Sequence, residues 1–203
     1  MHEQQQPAAP LPGPPPDLTT PAHRVRALAA RIGQGETASW CAELLAGRVA
    51  HDDPDRPPLA WLGGAGTPYV EERLEVGEFE YWPRVWGARG LLHVWPVPAE
   101  RVVTAAVVAA LADPAWRVRE MAAKVVARHE VGEAAEALMP CATDPVARVR
   151  AASVRALGAV GEHEHTDAVV GALRDQDGAV RRAAERSVEL LERRLDLAIR
   201  PAR

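Results

Sequence analysis

Apolar residues recur at helical spacing along most of the chain. Val25, Leu28, Ala29 and Ile32 stand three and four residues apart, which is one stripe of a helix. Gly33-Gln34-Gly35 breaks that helix. Thr37 is placed to cap a second one, with Trp40, Cys41, Leu44 and Leu45 as its apolar face, so that two helices share 22–49. The Asp/Pro-rich stretch 51–58 predicts a loop, and Trp61 to Gly66 is too rich in glycine for a helix interior. Aromatic residues then concentrate at Phe79, Tyr81, Trp82, Trp86 and Trp95. Beyond Pro98 the chain is rich in Ala, Val, Leu and Arg. No apolar/polar alternation there lasts more than a few residues, so no strand is expected.

The second half is periodic. Asp113, Asp144 and Asp175 are spaced by 31 residues, and the same interval relates Val118, Val149 and Val180, and Arg119, Arg150 and Arg181. Each unit reads as a helix, then Asp-x-x-x-x-Val-Arg, then a second helix. The register predicts helix pairs at 98–112 with 114–129, 133–143 with 145–159, and 164–174 with 177–197. Asp113-Pro114 and Asp144-Pro145 set a capping acid before a proline at the opening of a helix. Gly132, Gly158 and Gly161 are expected to close the second helices. A pair this short cannot bury its apolar face alone. Stacked neighbours make a continuous core, and Ala122, Ala156 and Ala183 let their helices approach.

Composition narrows the classes. The chain has 203 residues, 47% of them hydrophobic, and a net charge of −4. Its two cysteines, Cys41 and Cys141, exclude a disulfide scaffold and a cysteine-rich zinc module; both sit in apolar helical stretches, as inert buried thiols do. No apolar run reaches the length of a membrane span, and Met1 to Pro7 lacks the basic start and apolar stretch of a secretory signal, so a soluble cytoplasmic protein is expected. Residues 7–16 hold six prolines. Proline removes donors and fixes φ, which predicts a disordered tail over 1–20.

The stretches Asp113-Pro-Ala-Trp-Arg-Val-Arg119, Asp144-Pro-Val-Ala-Arg-Val-Arg150 and Asp175-Gln-Asp-Gly-Ala-Val-Arg181 resemble the HEAT repeat family in its short bacterial form, the type also found in bilin lyases. The resemblance implies an all-α protein: a short, right-handed, armadillo-like α-solenoid with three repeats over 98–200 and a small helical N-terminal region over 21–76. Residues 77–97 would be an aromatic-rich cap or a degenerate repeat. In that unit Arg84-Val85-Trp86 echoes Arg117-Val118-Arg119, with Trp86 where the arginine should be. The family also implies that the columns Asp113, Asp144, Asp175 and Arg119, Arg150, Arg181 form a structural ladder. One enzyme group built on such repeats, the deoxyhypusine hydroxylases, places His-Glu metal ligands directly after the Val-Arg. Here those positions are Glu120-Met121, Ala151-Ala152 and Arg182-Ala183, so that activity is excluded. His163 and His165 point apart on a helix and predict no metal site, and no catalytic constellation or cofactor motif is present.

One pattern exceeds what folding requires. Lys124, Arg155 and Arg186 share the 31-residue register between core positions, with Arg128 and Arg182 one turn away. In solenoids of this family the second helices line the concave face, so stacking would align these cations in a groove. The expected function is non-enzymatic binding of another protein with an acidic segment, as an adaptor or scaffold. The alternative is nucleic acid in the same groove, weakened by 17 basic against 18 acidic residues over 76–200.

Overall fold

The computed structural model describes residues 11–74, 77, 79–97, 100–196 and 198. Among them every regular element is helical: α1 Pro21–Ile32, α2 Gln34–Leu45, α3 Ala60–Gly63, α4 Thr67–Glu71, α5 Trp82–Leu91, α6 Arg101–Ala110, α7 Trp116–His129, α8 Ala135–Leu138, α9 Ala147–Val160, α10 Thr166–Gly171 and α11 Gly178–Leu195. From α6 onward they form a short α-solenoid. The second helices α7, α9 and α11 stack in one layer, continued by α5 at the amino-terminal end; α6, α8 and α10 pack behind their partners. One core runs from Val25 to Leu191 without a break. The second helices fill it with valine, alanine and leucine, as the repeat pattern requires: Val118, Ala122 and Val126 in α7, Val149, Ala156 and Leu157 in α9, Val180, Ala183 and Val188 in α11.

The first helices are shorter than their expected spans. α8 and α10 are single α-helical turns flanked by 3-10 turns, at Gly132–Ala134 and Pro140–Thr143 around α8 and at His163–His165 and Ala172–Arg174 around α10. Pro140 has no N–H to donate, and Gly171 carries the helix penalty of glycine, so neither segment continues as α-helix. Helix ends differ too. α2 is capped by Gly33, at φ 96°, while Thr37 lies inside the helix and donates its hydroxyl back to the Gly33 carbonyl at 2.8 Å. α7 ends on Glu130 in the left-handed conformation rather than on Gly132. Gly161 does close α9, but Gly158 lies within it. A Cβ at Gly158 would stand 2.7 Å from Ser187 Cβ and 2.9 Å from Ser187 Cα, so this glycine sets how closely α9 meets α11.

The amino-terminal region packs on α5 and α6 through α2. Residues 11–20 do not form the solvated tail expected from their prolines; the rest of that expectation, 1–10, lies outside the described residues. Trp61 Nε1 donates to the Pro12 carbonyl at 3.0 Å, and buried Arg24 donates to the carbonyls of Leu18 and Thr19 at 3.1 and 2.8 Å. Proline carbonyls remain good acceptors, so a segment poor in donors is still held by its oxygens. The glycine-rich stretch from Trp61 forms the brief helices α3 and α4 joined by a 3-10 turn at Gly64–Gly66.

Candidate interaction surface

The aspartates of the repeat act one step before the helix. Asp113, Asp144 and Asp175 each accept, at 2.8 Å, the N–H of the residue two positions on, Ala115, Val146 and Asp177. This is an Asx turn, which bends the chain before the second helix begins. In the last repeat the helix cap is Asp177, which takes the N–H groups of Ala179 and Val180. The other carboxylate oxygen of each repeat aspartate receives an arginine from the preceding unit. Arg119 Nε and Nη2 reach Asp144 at 2.7 Å, and Arg150 meets Asp175 with two bonds of 2.7 and 2.8 Å. Each arginine also ties its own turn. Arg119 Nη1 donates to the carbonyls of Asp113 and Pro114, Arg150 to those of Asp144 and Pro145, and Arg181 to those of Asp175 and Gln176. The Arg150 guanidinium holds the Asp175 carboxyl below the usual carboxylate range. The ladder begins earlier than the register indicated. Arg84, two residues before Trp86, meets Asp113 at 2.8 Å, while Trp86 is buried in the core.

The expected partner-binding cations do not share one environment. Lys124 Nζ lies 2.8 Å from Glu120, which is only 6% exposed, and Arg148 reaches the same carboxylate oxygen at 3.1 Å. Arg155 is exposed on α9; its guanidinium is held below the usual arginine range by desolvation first and by Arg186 second, while Glu120 opposes. Arg186 on α11 is thus close enough to act on the Arg155 charge, and exposed Arg182 precedes Arg186 by one turn of α11. A hollow of about 220 Å³ opens here, lined by Glu120, Lys124, Arg148, Arg155 and Asp177. Arg128 lines a different hollow, with Arg26, His93 and His129.

Sequence reasoning passed over Trp116, Arg117 and Arg148, which extend the charged face to the aromatic residues. Arg117 lies 4.4 Å from the ring centroid of Trp116, 5.8 Å from that of Tyr81 and 5.7 Å from that of Trp82; Arg148 covers Trp116 at 5.4 Å. The signal was present, since Arg117 and Arg148 stand one before the repeat valine and obey the 31-residue interval. Tyr81 and Trp82 stack at 5.5 Å and are half-buried.

Other titratable groups lie outside this surface. Glu136, Glu164 and His165 bring their ligand atoms within 4.8 Å of one another. His165 is 3% exposed, and its Nδ1 accepts the Glu162 N–H at 3.0 Å. Its Nε2 lies 3.2 Å from Glu136 but makes no hydrogen bond with it. Burial pushes the Cys41 thiol up to about 12 and raises Cys141, which donates to the Leu111 carbonyl; neither is an activated nucleophile. Among the described residues no helix is long and apolar enough to cross a membrane.

Comparison with known proteins agrees with this architecture. Residues 104–189 match the family model for HEAT repeats. No curated protein matches the chain.

Proposed function

Because residues 104–189 are HEAT repeats, arrays that generally mediate binding between proteins, we propose that this chain is a non-enzymatic adaptor that holds an acidic segment of another protein along its second-helix layer. The observation that carries the reading is the hollow that exposed Arg155 lines together with Lys124 and Arg148, with Arg186 close enough to act on the Arg155 charge. Burial first and the Arg186 guanidinium of the next repeat second lower the proton affinity of Arg155, a cost that folding does not require. A carboxylate lying between them would reverse it with charge-assisted hydrogen bonds. Arg182 extends the site along α11. Lys124, Arg148 and Glu120 form its edge, where the buried carboxylate fixes the two cations in place.

The test is fluorescence anisotropy with a labelled peptide rich in aspartate and glutamate. Arg155→Glu combined with Arg186→Glu should weaken binding by about tenfold or more, in keeping with loss of charge-assisted bonds. Arg174→Glu, away from this face, should bind as the wild type does. Lys124 is left intact because its reversal would set a carboxylate against buried Glu120. Equal binding by the double variant would end this reading. Tight capture of duplex DNA with a steep salt slope would transfer the groove to nucleic acid.

A further inference from the structure

The second hollow, of about 470 Å³, lies where the amino-terminal region meets the array. Arg26 of α1, Gln34 of α2, His93 and Trp95 after α5, and Arg128 and His129 of α7 line it. No carboxylate does. Glu100 stands in an adjoining hollow beside Gly35 and Gln34. Arg26 and Arg128 are exposed and make no ion pair among the described residues, although the chain is acidic as a whole. The wall is firmly built. Trp95 stacks on the His129 ring at 4.5 Å with 9° between planes, His129 Nε2 donates to the Leu91 carbonyl at 2.8 Å, and Gln34 Nε2 donates to the Trp95 carbonyl at 2.6 Å. His93 faces Arg26 from α1, Arg89 from α5 and Arg128 from α7. Burial first and these three cations after it lower its proton affinity. His129 is lowered by burial and by Arg128, against the Leu91 carbonyl.

Two arginines, Arg26 from α1 and Arg128 from α7, line one hollow with no carboxylate between them, and an anion inside would be drawn to both. The volume lies within the range of small-molecule sites. Guanidinium forks favour an oxyanion that accepts two parallel bonds, and imidazole adds a donor once protonated. We propose that this hollow binds a phosphate monoester, held by Arg26 and Arg128 with His93 as a further donor. The site is separate from the acidic-peptide groove, and its test does not depend on that reading.

The experiment is an NMR titration of the full chain with inorganic phosphate, then with free phosphoserine and with a phosphoserine peptide, followed at the His93 and His129 imidazoles and the Trp95 indole. Saturable shifts are expected, and Arg26→Ala and Arg128→Ala should each weaken binding by about tenfold. Both side chains are exposed, so both variants should keep the wild-type melting temperature. Tighter binding of free phosphoserine than of the peptide identifies a small-molecule ligand, and the reverse order identifies a phosphorylated partner. Sulfate, whose charge is constant near neutrality, isolates the protein's proton. Its affinity should rise as pH falls below the ordinary histidine range, because His93 is lowered, and this rise should shrink in His93→Gln. No saturable shift with phosphate, or equal affinity in the two arginine variants, overturns the site; a flat sulfate profile in the wild type removes His93 from it.

Discussion

Asp144 shows what one residue contributes to this array. It is 7% exposed and has two duties, one oxygen on the Val146 N–H and the other on Arg119. Removing it leaves a half-buried guanidinium and a turn donor without their acceptor. Asp144→Ala should therefore cost about 3 kcal/mol of unfolding free energy, the scale for breaking a buried pair from one side. Asp144→Asn keeps an acceptor for Val146 and should cost less; urea denaturation of both variants separates the two duties. The pairing of aspartate and arginine columns was legible because it repeats. The atoms were not. Spacing says that Asp144 precedes a helix, but only the backbone path shows an Asx turn in place of a helix cap. Arg84 was hidden for a different reason: it performs the ladder's task from a position two residues out of register, and its unit has no second copy to compare with.

At the scale of elements, the second helices were readable and the first helices only partly so. α7 and α9 are fourteen residues each and α11 eighteen, long enough for a stripe to declare itself. α8 and α10 are too short and are interrupted by Pro140 and Gly171. The amino-terminal helices pack by close approach, not by period. A Cβ at Gly87 would stand 2.5 Å from the Cys41 carbonyl oxygen, so α5 lies directly on the α2 backbone, a fact that no repeat announces. Gly158 makes the same kind of contact inside the array, where the sequence suggested only a helix end. Ala is a better helix former than Gly, so propensity alone would make Gly158→Ala stabilising. Contact with the Ser187 backbone opposes this and should prevail, lowering stability by about 1–3 kcal/mol, as overpacking does. Thermal unfolding followed by circular dichroism checks the sign. A rise in melting temperature would mean that α11 yields easily to the added methyl group.

The whole molecule has a direction. Every rung of the ladder is given by an arginine and received by the aspartate of the following repeat, from Arg84–Asp113 through Arg119–Asp144 to Arg150–Asp175. Arg181 binds its own turn in the same way, yet among the described residues no carboxylate stands at ion-pair distance beyond it. Among the described residues, one edge of the array thus ends in a donor that no carboxylate answers. The opposite edge would end in an unanswered acceptor, Asp113, were it not occupied by Arg84. Edges that complement each other without closing a ring are the geometry of a filament. In this light α5 and the helices behind it are a stopper: they fill the socket that a second copy's Arg181 would otherwise enter. A fragment starting at residue 100 should accordingly grow into head-to-tail chains, visible as concentration-dependent light scattering. Arg181→Ala in that fragment should shorten them, whereas in the full chain the same substitution should leave particle size unchanged.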